Sequence, residues 1–198
     1  MARNYFFAIC LGLAAIGSMI GGAARPAAAA LSCGGQSLVQ PFRPWVDPAN
    51  YVAVQNGSLE GTSGWTLAGG AKLVAGNEPW TVGSRADTHS LALPSGSSAT
   101  SPALCVTLLH PTLRFFATNS GSPLSLLRVD AITTLGGSTL TLPVGLLVGG
   151  AWQPTLPVAF LTNLTSPLTG PVQFRFTPIG TASGWQIDDV YVDPFKDR

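Results

Sequence analysis

The chain has 198 residues, only 10% of them charged, with a formal net charge of +1 and with 23 glycines and 16 prolines. So weak a charge offers no pull toward nucleic acid, and Gly and Pro at this density suit turns and strands rather than long helices. The length allows one domain with a sizeable core.

Arg3 precedes an apolar run from Phe6 to Ile20 and a small-residue stretch that ends Ala27-Ala28-Ala29-Ala30. A basic start, an apolar centre and an A-x-A end make a secretory signal over residues 1–30, with cleavage expected after Ala30. The apolar run is short for a spanning helix of about 20 residues, so no membrane association is expected after cleavage. Without Arg3 and Arg25 the mature chain carries eight bases against nine acids. The expected location is extracellular or at the cell envelope.

Cys10 leaves with the leader and Cys33 and Cys105 remain. An even count in an exported chain predicts a Cys33–Cys105 disulfide, worth about 4 kcal/mol in the chain-entropy model. Residues 31–50 read as a proline-rich arm, Gln40-Pro41-Phe42-Arg43-Pro44-Trp45-Val46-Asp47-Pro48. Its prolines forbid a helix, and Phe42 and Trp45 are expected to anchor it to the body.

Residues 51–198 read as strands. The predicted runs are Tyr51–Leu59, Trp65–Leu67, Ala71–Ala75, His89–Leu93, Ala99–Thr107, Thr112–Asn119 and Leu124–Thr134. A turn at Gly136-Gly137 leads to Ser138–Val148, then Leu156–Leu161, Val172–Thr177 and Trp185–Val192. Gly76–Thr88 is a loop carrying Trp80. No window after the leader has a helical period, and about nine or ten short strands with Gly/Pro/Asn/Ser turns mean one all-β sandwich or barrel.

Asp188 and Asp189 lie in the last strand, where two ionised carboxylates repel and lose hydration unless something positive meets them. Asn56-Gly57-Ser58-Leu59-Glu60, Gly64-Trp65, Trp152-Gln153 and Gln186-Ile187-Asp188-Asp189-Val190 together resemble the galactose-binding-like jelly roll of carbohydrate-binding modules. The resemblance spans Tyr51 to Pro194 and implies a single-domain jelly-roll β-sandwich. Leu59 stands where phenylalanine is commoner. The arm and the Asp193-Pro194-Phe195 ending are closer to secreted bacterial proteins of unassigned function.

The resemblance also implies a structural Ca2+ held by Glu60 and Asp188, with Asp189 as an alternate, a donor set of hard oxygens that suits calcium. The alternative is that Asp188 and Asp189 accept backbone N–H bonds as a bulge. For a sugar, an exposed ring must stack on a pyranose while polar groups meet its hydroxyls. Trp65 and Trp185 sit in core-like positions and Trp152 in a packing position. That leaves Trp80, with Arg85 and Asp87 nearby, as the candidate ligand site, against the alternative that Trp80 folds back over the sheet.

Neighbouring aspartates on a regular strand point to opposite faces and cannot flank one glycosidic bond. No nucleophile elbow, zinc helix or phosphate loop is present, so no catalysis is expected. The expected function is a secreted non-catalytic module for carbohydrate or cell-wall polysaccharide. The alternative is a structural or adhesive envelope protein without a small ligand. An aromatic-lined concave face would favour the first and a smooth Thr/Val/Leu face the second.

Overall fold

A computed structural model of the chain describes residues 36–107, 112–135, 137–160 and 169–193. All lie within the second of two units, Leu31–Arg198; the first is Met1–Ala30. The predicted leader and Cys33 fall outside the described residues.

Thirteen strands make up the described body: β1 (Val52–Ala53), β2 (Thr66–Ala68), β3 (Lys72–Ala75), β4 (His89–Pro94), β5 (Ser98–Thr100), β6 (Leu104–Thr107) and β7 (Thr112–Asn119), followed by β8 (Leu126–Leu135), β9 (Ser138–Leu147), β10 (Gln153–Pro154), β11 (Val158–Ala159), β12 (Thr169–Ile179) and β13 (Gly184–Asp193). A single 3-10 turn at Arg43–Trp45 is the one helical element among the described residues. The strands form two antiparallel sheets. One runs β10-β7-β13-β4-β3, with β11 also on β7 and β1 also on β13; the other runs β2-β5-β12-β8-β9, with β6 also on β12.

The alternation of β12 shows why the sheets face each other. Val172, Phe174 and Phe176 are buried while Gln173, Arg175 and Thr177 are half-exposed, as a period of two demands. Phe174 and Phe176 meet Leu91 and Leu93 of β4, Phe115 of β7 and Trp185 and Ile187 of β13 in the inter-sheet core. Trp65 stacks on Phe176 at 6.1 Å, and Trp185 is buried with its indole N–H donating to Ser125 Oγ at 3.0 Å. Both tryptophans are core residues, as expected.

The predicted strand over Tyr51–Leu59 contracts to Val52–Ala53. Beyond it the chain turns tightly: Gly57 N–H donates to Val54 O at 2.8 Å, and Asn56 and Leu59 take positive φ. The first strand nevertheless meets the last, with Val52 opposite Val192 and Ala53 opposite Tyr191. The predicted Ala99–Thr107 strand divides in two. Pro102 has no N–H to offer, and Ser101 leaves the ladder with its N–H on Phe174 O. The predicted Leu156–Leu161 strand reduces to β11, and Leu161 lies outside the described residues.

A second cluster covers the outer face of the first sheet. Phe42 of the arm is fully buried against Tyr51, Phe116 and Tyr191, with Trp45, Val82 and Trp152 packed around them. The rings of Phe42 and Phe116 stack at 5.6 Å. The arm therefore docks as expected, and Trp152 packs there rather than presenting a platform. The arm also passes beside Cys105, whose carbonyl accepts from Gln36 Nε2 at 3.3 Å.

Candidate functional site

The site grows from a defect in the last strand. β13 pairs with β7 on one side, but the register slips between Asp188 and Tyr191, and Asp189 takes φ 48°. This bulge separates β4, which pairs up to Ile187, from β1, which resumes at Tyr191. In the gap Val190 exchanges backbone hydrogen bonds with Val54 and Gly57. A bulge re-aims side chains, and here it turns both carboxylates inward: Asp188 is 0% and Asp189 2% exposed. The strand is not regular at this point, so the expectation that the two point to opposite faces does not apply.

The loop over residues 76–88 closes on these carboxylates. Glu78 N–H donates to Asp188 Oδ2 at 3.2 Å, Asp189 N–H to Asp188 Oδ1 at 2.9 Å, and Gly83 N–H to Asp189 Oδ2 at 3.0 Å. Glu78 is itself buried, and its carboxylate accepts Trp80 N–H at 2.6 Å and Val82 N–H at 2.5 Å. Three buried acids thus hold one loop by its own backbone. In the sequence Glu78 reads only as a charged loop residue, a possible carboxylate pair with Asp87 that nothing raises above chance; its place beneath the bulge comes from the fold.

Ionising these buried carboxylates together is electrostatically unfavourable. Burial, then the charge of Asp189, pushes the Asp188 carboxyl up to about 8. Burial, and then the charges of Glu78 and Asp87, push Asp189 up to about 7 despite the Gly83 bond. Burial and the charges of Glu60 and Glu78 likewise raise Asp87. Asp189 Oδ1 is buried with no hydrogen-bond partner. Beside it is Asp87 Oδ2: a Cβ on Gly83 would lie 2.6 Å from the first and 2.8 Å from the second.

Glu60 stands at the outer end of this acidic group. Its Oε1 accepts the N–H groups of Thr88 and His89, both at 2.6 Å, and its Oε2 meets His89 Nδ1 at 2.9 Å. Burial opposes ionisation, but the His89 and Thr88 bonds outweigh it and hold Glu60 down at about 2. The structure therefore brings Asp188 and Asp189 together with Glu78 and Asp87, and commits Glu60 to the start of β4. Among the described residues no group of three or more His, Cys, Asp or Glu side chains is arranged as a metal cluster. The oxygen donors and the orphaned Asp189 Oδ1 fit a hard cation, which would have to complete its coordination with backbone carbonyls or water.

Trp80 rises from the same loop. It is 44% exposed and lies 5.3 Å from Trp45 and 5.5 Å from Phe116, centroid to centroid. Trp45 and Phe116 are 5.2 Å apart, so the three rings brace one another. Trp80 folds partly back over the sheet and still presents part of its ring to solvent. Arg85 is exposed and Asp87 half-buried; the Asp87 carboxylate approaches Gly83 on the side of Asp189.

The outer face of the second sheet is different. Its outward positions on β2, β5, β12, β8 and β9 include Thr66, Thr100, Gln173, Thr177, Ile132 and Thr141, with no aromatic residue among the described ones. A cleft of about 610 Å3 opens instead between β9 and the β10–β11 segment, lined by Val144–Gly149, Gln153–Ala159, Ala117 and Trp185.

The two sheets form a jelly-roll β-sandwich, a fold also found in solved carbohydrate-binding modules. The chain superposes on the tandem CBM22-1–CBM22-2 domain of Paenibacillus barcinonensis Xyn10C with a TM-score of 0.53 and 12% identity, covering 75% of this chain and 46% of that one. It matches the Clostridium thermocellum xylanase 10B CBM22-1–GH10 modules complexed with xylohexaose at TM-score 0.52 and 12% identity, over 72% and 28% of the two chains. It matches the arabinose-bound α-L-arabinofuranosidase MgGH51 at TM-score 0.51 and 18% identity, over 74% and 27%. The chain spans less than half the length of each. Neither a protein-family model nor a curated protein matches the sequence.

Proposed function

We propose that this protein is a secreted, non-catalytic module that binds a polysaccharide, with Trp80 as its platform. The observation that carries this reading is a half-exposed tryptophan braced by Trp45 and Phe116 and held at its backbone by a buried glutamate. A ring fixed before binding loses little entropy when a sugar stacks on it. Arg85 is the polar partner within reach of the same loop. Asp87 belongs to the carboxylate group and shapes the loop from beneath. One solved relative of the same fold carries xylohexaose, which supports a glycan as ligand class.

Three further parts belong to the proposal. Residues 1–30 are removed on export, leaving the protein outside the cell or at its envelope. Cys33 and Cys105 form a disulfide, supported by the arm running alongside Cys105 at Gln36. The reagent iodoacetamide should then label neither cysteine of the exported chain until it is reduced. Calcium sits at the bulge, held by Asp188 and Asp189, with Asp87 nearer to hand than Glu60; bound there, it would neutralise the buried carboxylates.

A structural role in the envelope is the second reading, favoured by exposed Leu146, Val148 and Leu156 beside the cleft. Retention on insoluble polysaccharides separates the two. The protein should be retained and released by soluble oligosaccharide, and Trp80→Ala should weaken retention by about tenfold or more, the equivalent of one lost stacking contact, without changing its melting temperature by more than a few degrees. Absence of retention on every polysaccharide tried would leave the envelope role.

A further inference from the structure

On the outer face of the second sheet, far from Trp80 in the sandwich, two arginines share one acid. Arg175 of β12 lies directly opposite Asp130 of β8, and Thr177 opposite Arg128. Their inward neighbours Phe174, Phe176, Val129 and Ala131 are all buried, so by alternation Arg128, Asp130 and Arg175 stand on the open face. Asp130 is only 2% exposed, although it faces outward, because the guanidinium groups cover it.

The three side chains meet one another. Asp130 Oδ2 accepts Arg175 Nη2 at 3.1 Å and Nε at 3.3 Å. Asp130 Oδ1 lies 3.2 Å from Arg128 Nε in an ion pair. That approach is too poorly aligned for a hydrogen bond, and Arg128 Nε is a buried donor without a hydrogen-bond acceptor. The arginine side chains stay 40% and 34% exposed. Two cations and one anion leave a local excess of one positive charge, on a face whose other described outward positions are hydroxyl, amide and aliphatic.

Beside Arg128 the same face has a shallow depression of about 480 Å3, lined by Pro143, Val144, Gly145, Leu146 and Ile179. Thr100 flanks Arg175, and Leu146 flanks Arg128 across the strands. A guanidinium fork matches a planar oxyanion better than any neutral hydroxyl, and its strength is that of a charge-assisted hydrogen bond. The two bonds that hold Arg175 on Asp130, and the ion pair that draws Arg128 to it, reduce the rotamer freedom of the arginines before a ligand arrives.

We propose that Arg128 and Arg175 form an oxyanion subsite for an acidic glycan, seating a uronate carboxylate or a sulfate ester while the neighbouring sugar lies in the Leu146–Ile179 depression. The glycan class rests on the polysaccharide reading above; the site itself does not depend on Trp80. If the triad only ties β8 to β12, it stabilises the sheet and selects no ligand.

The test is affinity electrophoresis of the purified protein in polygalacturonate and in its fully methyl-esterified form, which keeps the backbone and removes the charge. A sulfated galactan and its desulfated form make the second pair. At least one anionic polymer should bind about tenfold tighter than its neutral counterpart, with the advantage shrinking as salt rises. Whichever pair shows the difference identifies the oxyanion.

Arg128→Gln leaves the Arg175–Asp130 pair intact and should erase most of that advantage at an unchanged melting temperature. Asp130→Asn keeps both arginines and should preserve or strengthen it even where stability falls. Equal binding of charged and neutral polymers, or an advantage untouched by Arg128→Gln, overturns the subsite. Retention on neutral polysaccharide that is lost in Trp80→Ala would persist in that case, so the platform reading fails separately. Binding to no polymer of either kind overturns both.

Discussion

Raising the pH from about 4 to about 8 is expected to destabilise the calcium-free protein, and to leave the calcium-loaded protein nearly unchanged. The folded chain holds the Asp188 carboxyl at about 8 and Asp189 at about 7, against an ordinary 3.8. Between those values the folded state binds protons that the unfolded state has released, so stability falls as pH rises. The contribution is complete below the ordinary value and is lost as pH passes through the folded ones. Glu60 and Asp47 work in the other direction, because both are held below their ordinary values. Their contribution is present at neutral pH and is lost on acidification. An optimum on the mildly acid side follows for the metal-free protein.

Calcium replaces the missing protons with a better counter-charge and should raise the melting temperature at pH 8 by several degrees. Asp189→Asn separates this from a general ion effect. The amide keeps an acceptor for Gly83 N–H and places its NH2 where Oδ1 is orphaned beside Asp87. The variant should melt higher than the parent in chelator at pH 8 and lose the response to calcium. Melting curves across pH with chelator and with calcium measure all of this. A flat profile in chelator, with no gain from calcium, would sink both the ionised-pair argument and the cation site.

Arg114→Ala should cost about 3 kcal/mol or more, the scale for removing one partner of a buried ion pair, and release the arm. Arg114 is 4% exposed. It pairs with Asp47 of the arm, donates from Nε to Thr155 O at 2.8 Å, and lies 4.3 Å from the centre of the Phe42 ring. Asp47 in turn accepts the Tyr51 hydroxyl at 2.7 Å and the Ala49 N–H at 3.1 Å. Burial pushes Asp47 up, but these bonds and the arginine outweigh it and hold it low.

Removing the guanidinium leaves a partly buried aspartate without its cation and opens a cavity under Phe42. At this size each kcal/mol shifts the melting temperature by about 2–4 °C, so a drop near 10 °C is expected. Proteolysis should then cut within residues 40–50 faster than in the parent. If cleavage and melting stay at parental values, the rings alone hold the arm.

The arm illustrates how far the sequence could be read. Its prolines exclude a continuing α-helix, although Arg43–Trp45 makes one 3-10 turn, and Phe42 and Trp45 announce an apolar anchor, because both signals are local. The partner of Asp47 is Arg114, 67 residues away, and nothing in the spacing of either residue announces the other. The strands show the same division. β12 and β8 could be read because alternation is a property of one segment. The division at Pro102 and the shortening after Ala53 depend on which neighbour offers a ladder.

The candidate site lies mostly on the tertiary side of that boundary. Asp188 and Asp189 stood out because two adjacent acids in an apolar strand are costly wherever they fold. Their convergence with Glu78 and Asp87 required the bulge, which lies where β4 and β1 share one edge of β13 with a gap between them. Trp80 was identifiable as a loop ring, whereas its bracing by Trp45 and Phe116 joins three separate stretches of chain.

The Arg128–Asp130–Arg175 group was invisible as a motif, because Arg175 reaches Asp130 only through cross-strand register. Composition, periodicity and turn residues thus determined the class, the arm and the strand faces of this protein, since each acts within a few residues. Register, bulges and buried charge partners belong to the folded chain alone, because they are set by contacts between segments that the sequence places far apart.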